Sequence, residues 1–360
     1  MRGWAGYTIR RKIHQLDEFR SDRSDGRTYN DDWNWNWAFR PSIGESGRMH
    51  PNHARVVASR GQFWFLFFGK LRMNHIKFLA IAVFVSASAT NATAQEVVWT
   101  LEGFEAPESA FFDEARSVLY VSNVAGEPLE KNGKGHISRV STDGEMLEAQ
   151  WVTGLNAPKG LVSDGSTLYV SDIDGLVAID IDKGEVSGSW TAEGAIFLND
   201  TAVDGTGRVY VSDMIAEKVY VLADDKLSVL AEGEALQHPN GLNMLDGNLV
   251  VAPWGQDLQE DFSTKIGGHL LTVNTETGEV AALGSGDPIG NLDGLEPDGK
   301  GGWMVSDWIA GGVHRVGVDG SHEMVVDLDM GSADLEFIAD GSLLIVPMML
   351  NNTLVAYRIK

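Results

Sequence analysis

Six times between Glu108 and Asp334 the chain repeats one pattern: a polar residue opening a short apolar strand, a Gly-containing turn, then a β-branched or aromatic run that usually ends in Ser-Asp. The copies read APESAFFDEARSVLYVSN, APKGLVSDGSTLYVSD, LNDTAVDGTGRVYVSD, PNGLNMLDGNLVVAPW, LDGLEPDGKGGWMVSD and ADLEFIADGSLLIVPM. Their opening residues Glu108, Lys159, Asn199, Asn240, Asp293 and Asp334 recur at intervals of 51, 40, 41, 53 and 41 residues. A period of about 40 to 50 residues made of short strands marks a β-propeller, one sheet per repeat around a central channel. The expected fold is therefore all-β: a six-bladed β-propeller of four-stranded antiparallel blades, with the six opening residues converging on the axis.

The third copy shows how one blade is written. Asp200–Asp204, Arg208–Ser212, Lys218–Leu222 and Lys226–Ala231 alternate apolar and polar residues around turn signals such as Gly205-Thr206-Gly207 and Asp224-Asp225, the marks of a strand meander. His136, His269 and His314 lie in or beside the recurrent third strand and read as structural. Asp172, Asp213 and Asp307, which close the VSD runs, read as residues that bond nearby backbone N–H groups. Two periods are longer because of insertions at Ala125–Gly135 and Gly255–Gly268, both after a second strand and on the face of the polar ring, where long loops carry binding and catalysis. The residues following the second strands, Asn123, Ile173, Met214, Trp254, Trp308 and Met348, are expected to rim the channel. Glu96–Leu101 is expected to pair with the last blade near Thr353–Ile359 and so close the ring without a disulfide.

Residues 1–72 differ from the rest. They hold 13 Lys and Arg against 7 Asp and Glu and five of the eleven tryptophans, whereas residues 95–360 hold 14 Lys and Arg against 44 Asp and Glu. Between them, residues 73–94 carry Lys77, an apolar run from Phe78 and the small-residue site Ala92-Thr93-Ala94, the anatomy of a secretory signal peptide. The expected organisation is an upstream extension over 1–72, a signal peptide over 73–94, and a propeller over 95–360 working outside the cytoplasm, in a bacterial periplasm. The chain has no cysteine, so closure rests on strand pairing. The strongly acidic balance argues against nucleic acid and anionic membrane surfaces as partners, since phosphate contacts need Lys and Arg.

Glu108, Asn199, Asn240 and Asp293 offer two carboxylates and two carboxamide oxygens. Such a set suits Ca²⁺, which takes six to eight oxygen ligands; Mg²⁺ and Mn²⁺ suit it too. With no Cys and no opening His, zinc is disfavoured. Each signal taken alone has a plainer reading, because Asn240-Gly241 and Asp293-Gly294 are common turn dipeptides. Their recurrence at equivalent repeat positions favours the metal.

The motifs APES, FLNDTAVDGTGRVYVSD, HPNGL and LDGLEPDG together resemble the regucalcin/gluconolactonase family of six-bladed propeller hydrolases, across residues 96–360. The resemblance implies a catalytic divalent cation, usually calcium, held by Glu108, Asn199, Asn240 and Asp293, with Asn199 and Glu217 on the substrate side. Family lactonases carry an arginine two residues before the first asparagine; here that position is Phe197. With Met214, Trp254, Trp308 and Met348 on the rim, the expected substrate is a small uncharged lactone or ester. Asp293 or Asp334 is the expected base that activates water. Two roles fit Lys159: stabilising an oxyanion or substrate carboxylate, or pairing with Asp334 or Glu336. The competing reading is a non-catalytic periplasmic propeller that binds a ligand or protein on the same face. No P-loop and no GxSxG elbow occurs in the chain.

Overall fold

A computed structural model describes residues 95–359. The readings of residues 1–72 and 73–94 lie outside the described residues. The described chain begins with β1 (Glu96–Glu102) and then builds its blades in order. Blade 1 holds β2 (Pro107–Asp113), β3 (Val118–Asn123), β4 (Gly135–Ser141) and β5 (Met146–Leu155); blade 2 holds β6 (Pro158–Ser163), β7 (Thr167–Asp172), β8 (Gly175–Asp180) and β9 (Glu185–Thr191). Blade 3 holds β10 (Leu198–Val203), β11 (Val209–Asp213), β12 (Lys218–Ala223) and β13 (Lys226–Glu232). Blade 4 starts with β14 (Pro239–Leu245) and β15 (Asn248–Pro253), puts out a separate hairpin of β16 (Gly255–Leu258) and β17 (Thr264–Gly267), and ends with β18 (Leu271–Asn274) and β19 (Val280–Ala282). Blade 5 holds β20 (Leu292–Pro297), β21 (Trp303–Asp307), β22 (Gly312–Val316) and β23 (His322–Asp327); blade 6 holds β24 (Glu336–Ile338), β25 (Leu343–Met348) and β26 (Thr353–Arg358).

Six four-stranded antiparallel sheets result, and the sixth takes β1 as its outer strand, in the order β1-β26-β25-β24. Glu96 pairs with Arg358 and Glu102 with Thr353, so the first strand closes the ring as the sequence leads one to expect. The innermost strands β2, β6, β10, β14, β20 and β24 touch one another in a closed cycle. Each pair of neighbouring blades encloses its own apolar core: Tyr120 and Ile137 against Leu168 and Ile179 between blades 1 and 2, Tyr210 and Val219 against Leu249 and Leu271 between blades 3 and 4. Second strands such as β3, β11 and β21 are buried throughout, while the outer strands β1 and β9 are mostly exposed. Burial therefore falls from the axis outward, as face-to-face packing of radial sheets requires. Among the described residues no helix is long and apolar enough to cross a membrane.

Candidate functional site

The inner strands do not run straight past the opening residues. In blades 1 to 5 the pairing between first and second strands slips at the polar position, between Pro107 and Ala110, Pro158 and Leu161, Leu198 and Thr201, Pro239 and Gly241, and Leu292 and Leu295. This is a recurrent β-bulge, a device that re-aims side chains. Asn240-Gly241 and Asp293-Gly294 are therefore bulges inside strands and not turns. Their glycines answer a crowding demand. A Cβ on Gly241 would stand 2.0 Å from the Asp293 carbonyl oxygen, one on Gly294 2.4 Å from the Leu335 nitrogen, and one on Gly160 2.4 Å from the Asp200 Cα.

The Ser-Asp endings of the second strands hold this arrangement. Ser212 Oγ donates to the Asn240 carbonyl (2.6 Å) and accepts from the Asp200 N–H (2.9 Å), while Ser171 Oγ donates to the Asn199 carbonyl. Ser306 Oγ donates to the Ala333 carbonyl (2.9 Å) and accepts from the Gly294 N–H (2.7 Å). Each serine thus ties its blade to the inner strand of the next or to the segment that enters it. The neighbouring aspartates grip the segment that enters their own inner strand: Asp172 accepts from the Asn156 and Ala157 N–H groups, Asp213 from those of Ile196 and Phe197. Asn123 does the same in blade 1, accepting from the Glu105 N–H at 3.0 Å. It is a brace and not a rim residue. The true counterpart of Met214, Trp254 and Trp308 is Val124, whose N–H bonds Ala106 as theirs bond Phe197, His238 and Asn291.

All six opening residues are buried: Glu108, Lys159, Asn199, Asn240, Asp293 and Asp334 are between 0% and 8% exposed. Glu108 and Asp334 meet across the closing seam, where the Asp334 N–H donates to the Glu108 carbonyl (2.9 Å) and Ser109 Oγ donates to Asp334 Oδ2 (2.6 Å). Asn240 Nδ2 donates to Asp293 Oδ1 (3.0 Å) and to the Leu292 carbonyl (3.1 Å). That fixes the carboxamide, and its Oδ1 is left buried with no donor, as is Glu108 Oε2. Burial raises Glu108 well above the usual carboxylate range, and Asp293, Asp334 and Asp200 push it further up against the pull of Lys159. Burial and the charge of Asp334 raise Asp293 likewise, and burial lifts Asp334 to about 7 against the Ser109 hydrogen bond.

Asp200 adds a further buried carboxyl beside the opening residues. Its carboxylate takes the Leu242 and Thr201 N–H groups, both at 2.6 Å, and burial together with Asp334 raises it. The sequence marks it only by a departure, since Asp200 stands where other blades have Gly160, Gly241 and Gly294. Lys159 makes no pair with Asp334 or Glu336. Its ammonium donates to the carbonyls of Ala157 (3.0 Å) and Pro128 (3.3 Å) and lies 4.6 Å from the Phe197 ring centroid. Burial lowers its pKa, with Glu108 the chief opposing charge.

On the rim, the Trp254 and Trp308 rings lie 5.9 Å apart, and Trp254 Nε1 donates to the Phe262 carbonyl (2.6 Å). Met214 is buried beside them in sequence register, and its carbonyl accepts from His238 Nδ1 at 2.9 Å. Glu217 Oε1 lies 3.7 Å from His238 Nε2. Met348 turns away from the rim and packs in the core between blades 5 and 6 with Met304, Val313 and Phe337.

What this arrangement offers is a buried acidic centre with two unpaired oxygen acceptors. The donor chemistry fits a hard cation through the carboxylate and carboxamide oxygens, with the buried Lys159 ammonium the opposing charge on Glu108. Among the described residues no three His, Cys, Asp or Glu side chains form a ready metal cage, so a cation held here draws on the asparagine carboxamides as well.

No family model matches the chain, and no curated protein matches it. Its fold is shared with solved propellers. One is a protein described as a putative gluconolactonase, 21% identical over 74% of this chain and 92% of that one, with a TM-score of 0.54. A gluconolactonase from Xanthomonas campestris is 18% identical over 74% and 88%, with a TM-score of 0.51. Virginiamycin B lyase from Staphylococcus aureus is 10% identical over 74% and 99%, also at 0.51. At these identities the likeness establishes the fold.

Proposed function

We propose that the propeller is a divalent-cation-dependent hydrolase of a small lactone or ester. The observation that carries this reading is the pair of buried acceptors without donors, Glu108 Oε2 and Asn240 Oδ1, set among carboxylates that burial and mutual repulsion drive toward protonation. A buried acceptor left unpaired is costly, and an uncompensated cluster of acids more so. Glu108, Asn199, Asn240 and Asp293 would hold the ion, with Ca²⁺ the best match and Mg²⁺ or Mn²⁺ alternatives. A bound cation supplies Lewis-acid polarisation of the substrate carbonyl.

The chain's own residues do the rest. Asp334 is the preferred base, because Asp293 is engaged by Asn240 and belongs to the ligand set. Burial raises the Asp334 carboxyl above the ordinary carboxylate range in the ion-free channel, which suits it to take and return a proton. It accepts the proton of the attacking water as the new C–O bond forms. The alkoxide then leaves with its bond electrons and takes the proton back from Asp334. Trp254 and Trp308 form an apolar wall suited to an uncharged ring. Lys159 can meet a developing oxyanion only once Pro128 releases its ammonium. The relatedness in fold to gluconolactonases supports the reaction class, and the substrate acts as the partner. The same reading assigns the enzyme to the periplasm, on the signal-peptide pattern of residues 73–94 alone.

The test is hydrolysis of a panel of lactones and esters by chelator-treated protein before and after Ca²⁺, Mg²⁺ or Mn²⁺ is restored, with Asn240→Ala and Asp334→Asn alongside. Activity that returns with the ion and is lost in both variants is expected. No hydrolysis by the ion-loaded protein across the panel would defeat the reading.

A further inference from the structure

The axial residues are closed off. With exposures of 0% to 8%, none of the six opening side chains is open to a molecule in solution. Two shallow surface grooves, one lined by Tyr169, Trp190 and Asp225 and one by Thr100, Asp327 and Tyr357, include no opening residue. Entry therefore requires something above the ring to move.

Two insertions cover that face, and they differ in how they are fastened. The blade 4 insertion is a paired hairpin. Asn291 Nδ2 anchors its base to the Trp254 carbonyl (2.9 Å) and Thr264 Oγ1 (2.8 Å), and Gly268 bonds the Gly290 carbonyl at 2.6 Å. It is a fixed wall. The blade 1 insertion, residues 125–134, has no strand pairing and is braced mainly on itself: the Glu130 N–H bonds the Glu127 carbonyl (3.0 Å), Asn132 Nδ2 bonds Glu130 Oε2 (2.9 Å), and the Lys134 N–H bonds Asn132 Oδ1 (2.8 Å). Near its two ends Ala125 and Gly133 sit at positive φ, 51° and 67°.

Besides the tie at its base, where the Ala125 N–H donates to the Glu105 carbonyl (3.0 Å), the loop is held at Leu129, Lys131 and Pro128. Leu129 packs on Val124, Ala157 and Ile173 with Ala106 and Met349 nearby. Ala106 and Ala157 stand two residues ahead of Glu108 and Lys159, so Leu129 lies over the blade 1 and 2 side of the ring. Lys131 pairs with Asp174 at 2.5 Å, both partners well exposed. The third attachment comes from within the channel: Lys159, 1% exposed, donates to the Pro128 carbonyl.

We propose that residues 125–134 are a gate over the axial channel, latched shut from below by the Lys159 ammonium on the Pro128 carbonyl. The loop swings as a body between Ala125 and Gly133, and opening exposes the Glu108 side of the ring while leaving the blade 4 wall in place. Of the polar ties, the latch is the more sheltered, because its Lys159 end is buried, at 3.3 Å from the Pro128 carbonyl, whereas the Lys131–Asp174 pair is solvated and weak. Lys159 is thus a positioning residue for the gate, whatever the molecule admitted, and the proposal does not rest on the hydrolase reading.

Hydrogen exchange followed by mass spectrometry on the full chain tests it. In Lys159→Met the amides of residues 125–134 should exchange about ten- to a hundredfold faster than in the unmodified protein, while those of β3, β11 and β21 keep their rates. Asp174→Asn should raise the same amides only a few-fold. A second variant, Leu129→Gly with Asp174→Asn, cuts the two surface attachments without touching the channel and should again loosen residues 125–134 alone. Unchanged exchange over 125–134 in both variants, or a rise only in step with the whole ring, would overturn the gate.

Discussion

Replacing Gly241 by alanine tests the packing that brings the axial residues together. The added methyl would sit 2.0 Å from the Asp293 carbonyl oxygen and 3.2 Å from Ala252 Cβ, where ordinary contact begins at 3.4 Å. Both obstacles belong to strands, so β14 and β20 must part by about 1 Å, a shift that forces a well-packed interior out of register. Overpacking of this kind costs about 1 to 3 kcal/mol and occasionally more, and a backbone obstacle on one side with the Ala252 methyl on the other puts Gly241→Ala near the top of that range. For a domain of this size, about 3 kcal/mol corresponds to a fall in Tm of about 6 to 12 °C. Gly205→Ala is the matched control, since its methyl would meet nothing within 4 Å, and should stay within about 0.5 kcal/mol of the parent. Thermal and urea unfolding followed by circular dichroism measure both. Equal stability of the two variants would refute the claim that inner-strand crowding, and not turn formation, selects glycine after the site residues.

Two other perturbations separate the forces in the ring. Glu336 Oε2 accepts the Phe112 N–H (2.7 Å) across the seam between blades 6 and 1, and burial raises its carboxyl from an ordinary 4.5 to about 7. The folded state thus keeps a proton that the unfolded chain loses, so stability should fall as pH rises from about 4.5 through 7, by up to about 3 kcal/mol from this group. Glu336→Gln should flatten that slope in chelator-treated protein unfolded with urea at pH 4 to 8; an unaltered slope would exclude Glu336 as its source. Ser212→Ala leaves the buried Asp200 N–H and Asn240 carbonyl without their partner and should cost about 1 to 3 kcal/mol by urea unfolding, whereas Ser321→Ala, at an exposed turn, should cost far less. Equal costs would mean that the serine bridges do not hold neighbouring blades.

The architecture was legible because it repeats. Six recurrences of one pattern placed the blades and the insertions, the closing role of Glu96–Leu101 followed from the fold, and the opening polar residues all prove buried around the axis. What periodicity could not show was the conformation at each repeated position. Asn-Gly and Asp-Gly have the same letters in a turn and in a bulge, and only the proximity of the Asp293 and Leu335 backbones reveals why glycine is needed. Register at strand ends was also beyond it, so Asn123 was read as rim when it is a brace and Met348 as rim when it packs between blades. Lys159 was open to two roles on sequence because its partner, the Pro128 carbonyl, lies in an insertion with no counterpart in the other blades. Asp200 was not legible because its place in the repeat is held by glycine in blades 2, 4 and 5, so periodicity assigned it no shared role.

The proposed hydrolase needs one cation between Glu108 and Asn240. Soaking crystals of chelator-treated protein in Mn²⁺ and recording anomalous scattering at the manganese edge locates such an ion without reference to activity. A single strong peak within coordination distance of Glu108 Oε2 and Asn240 Oδ1, absent in Asn240→Ala, is the expected result. A channel without any anomalous peak, in crystals that take up the ion elsewhere, would contradict it.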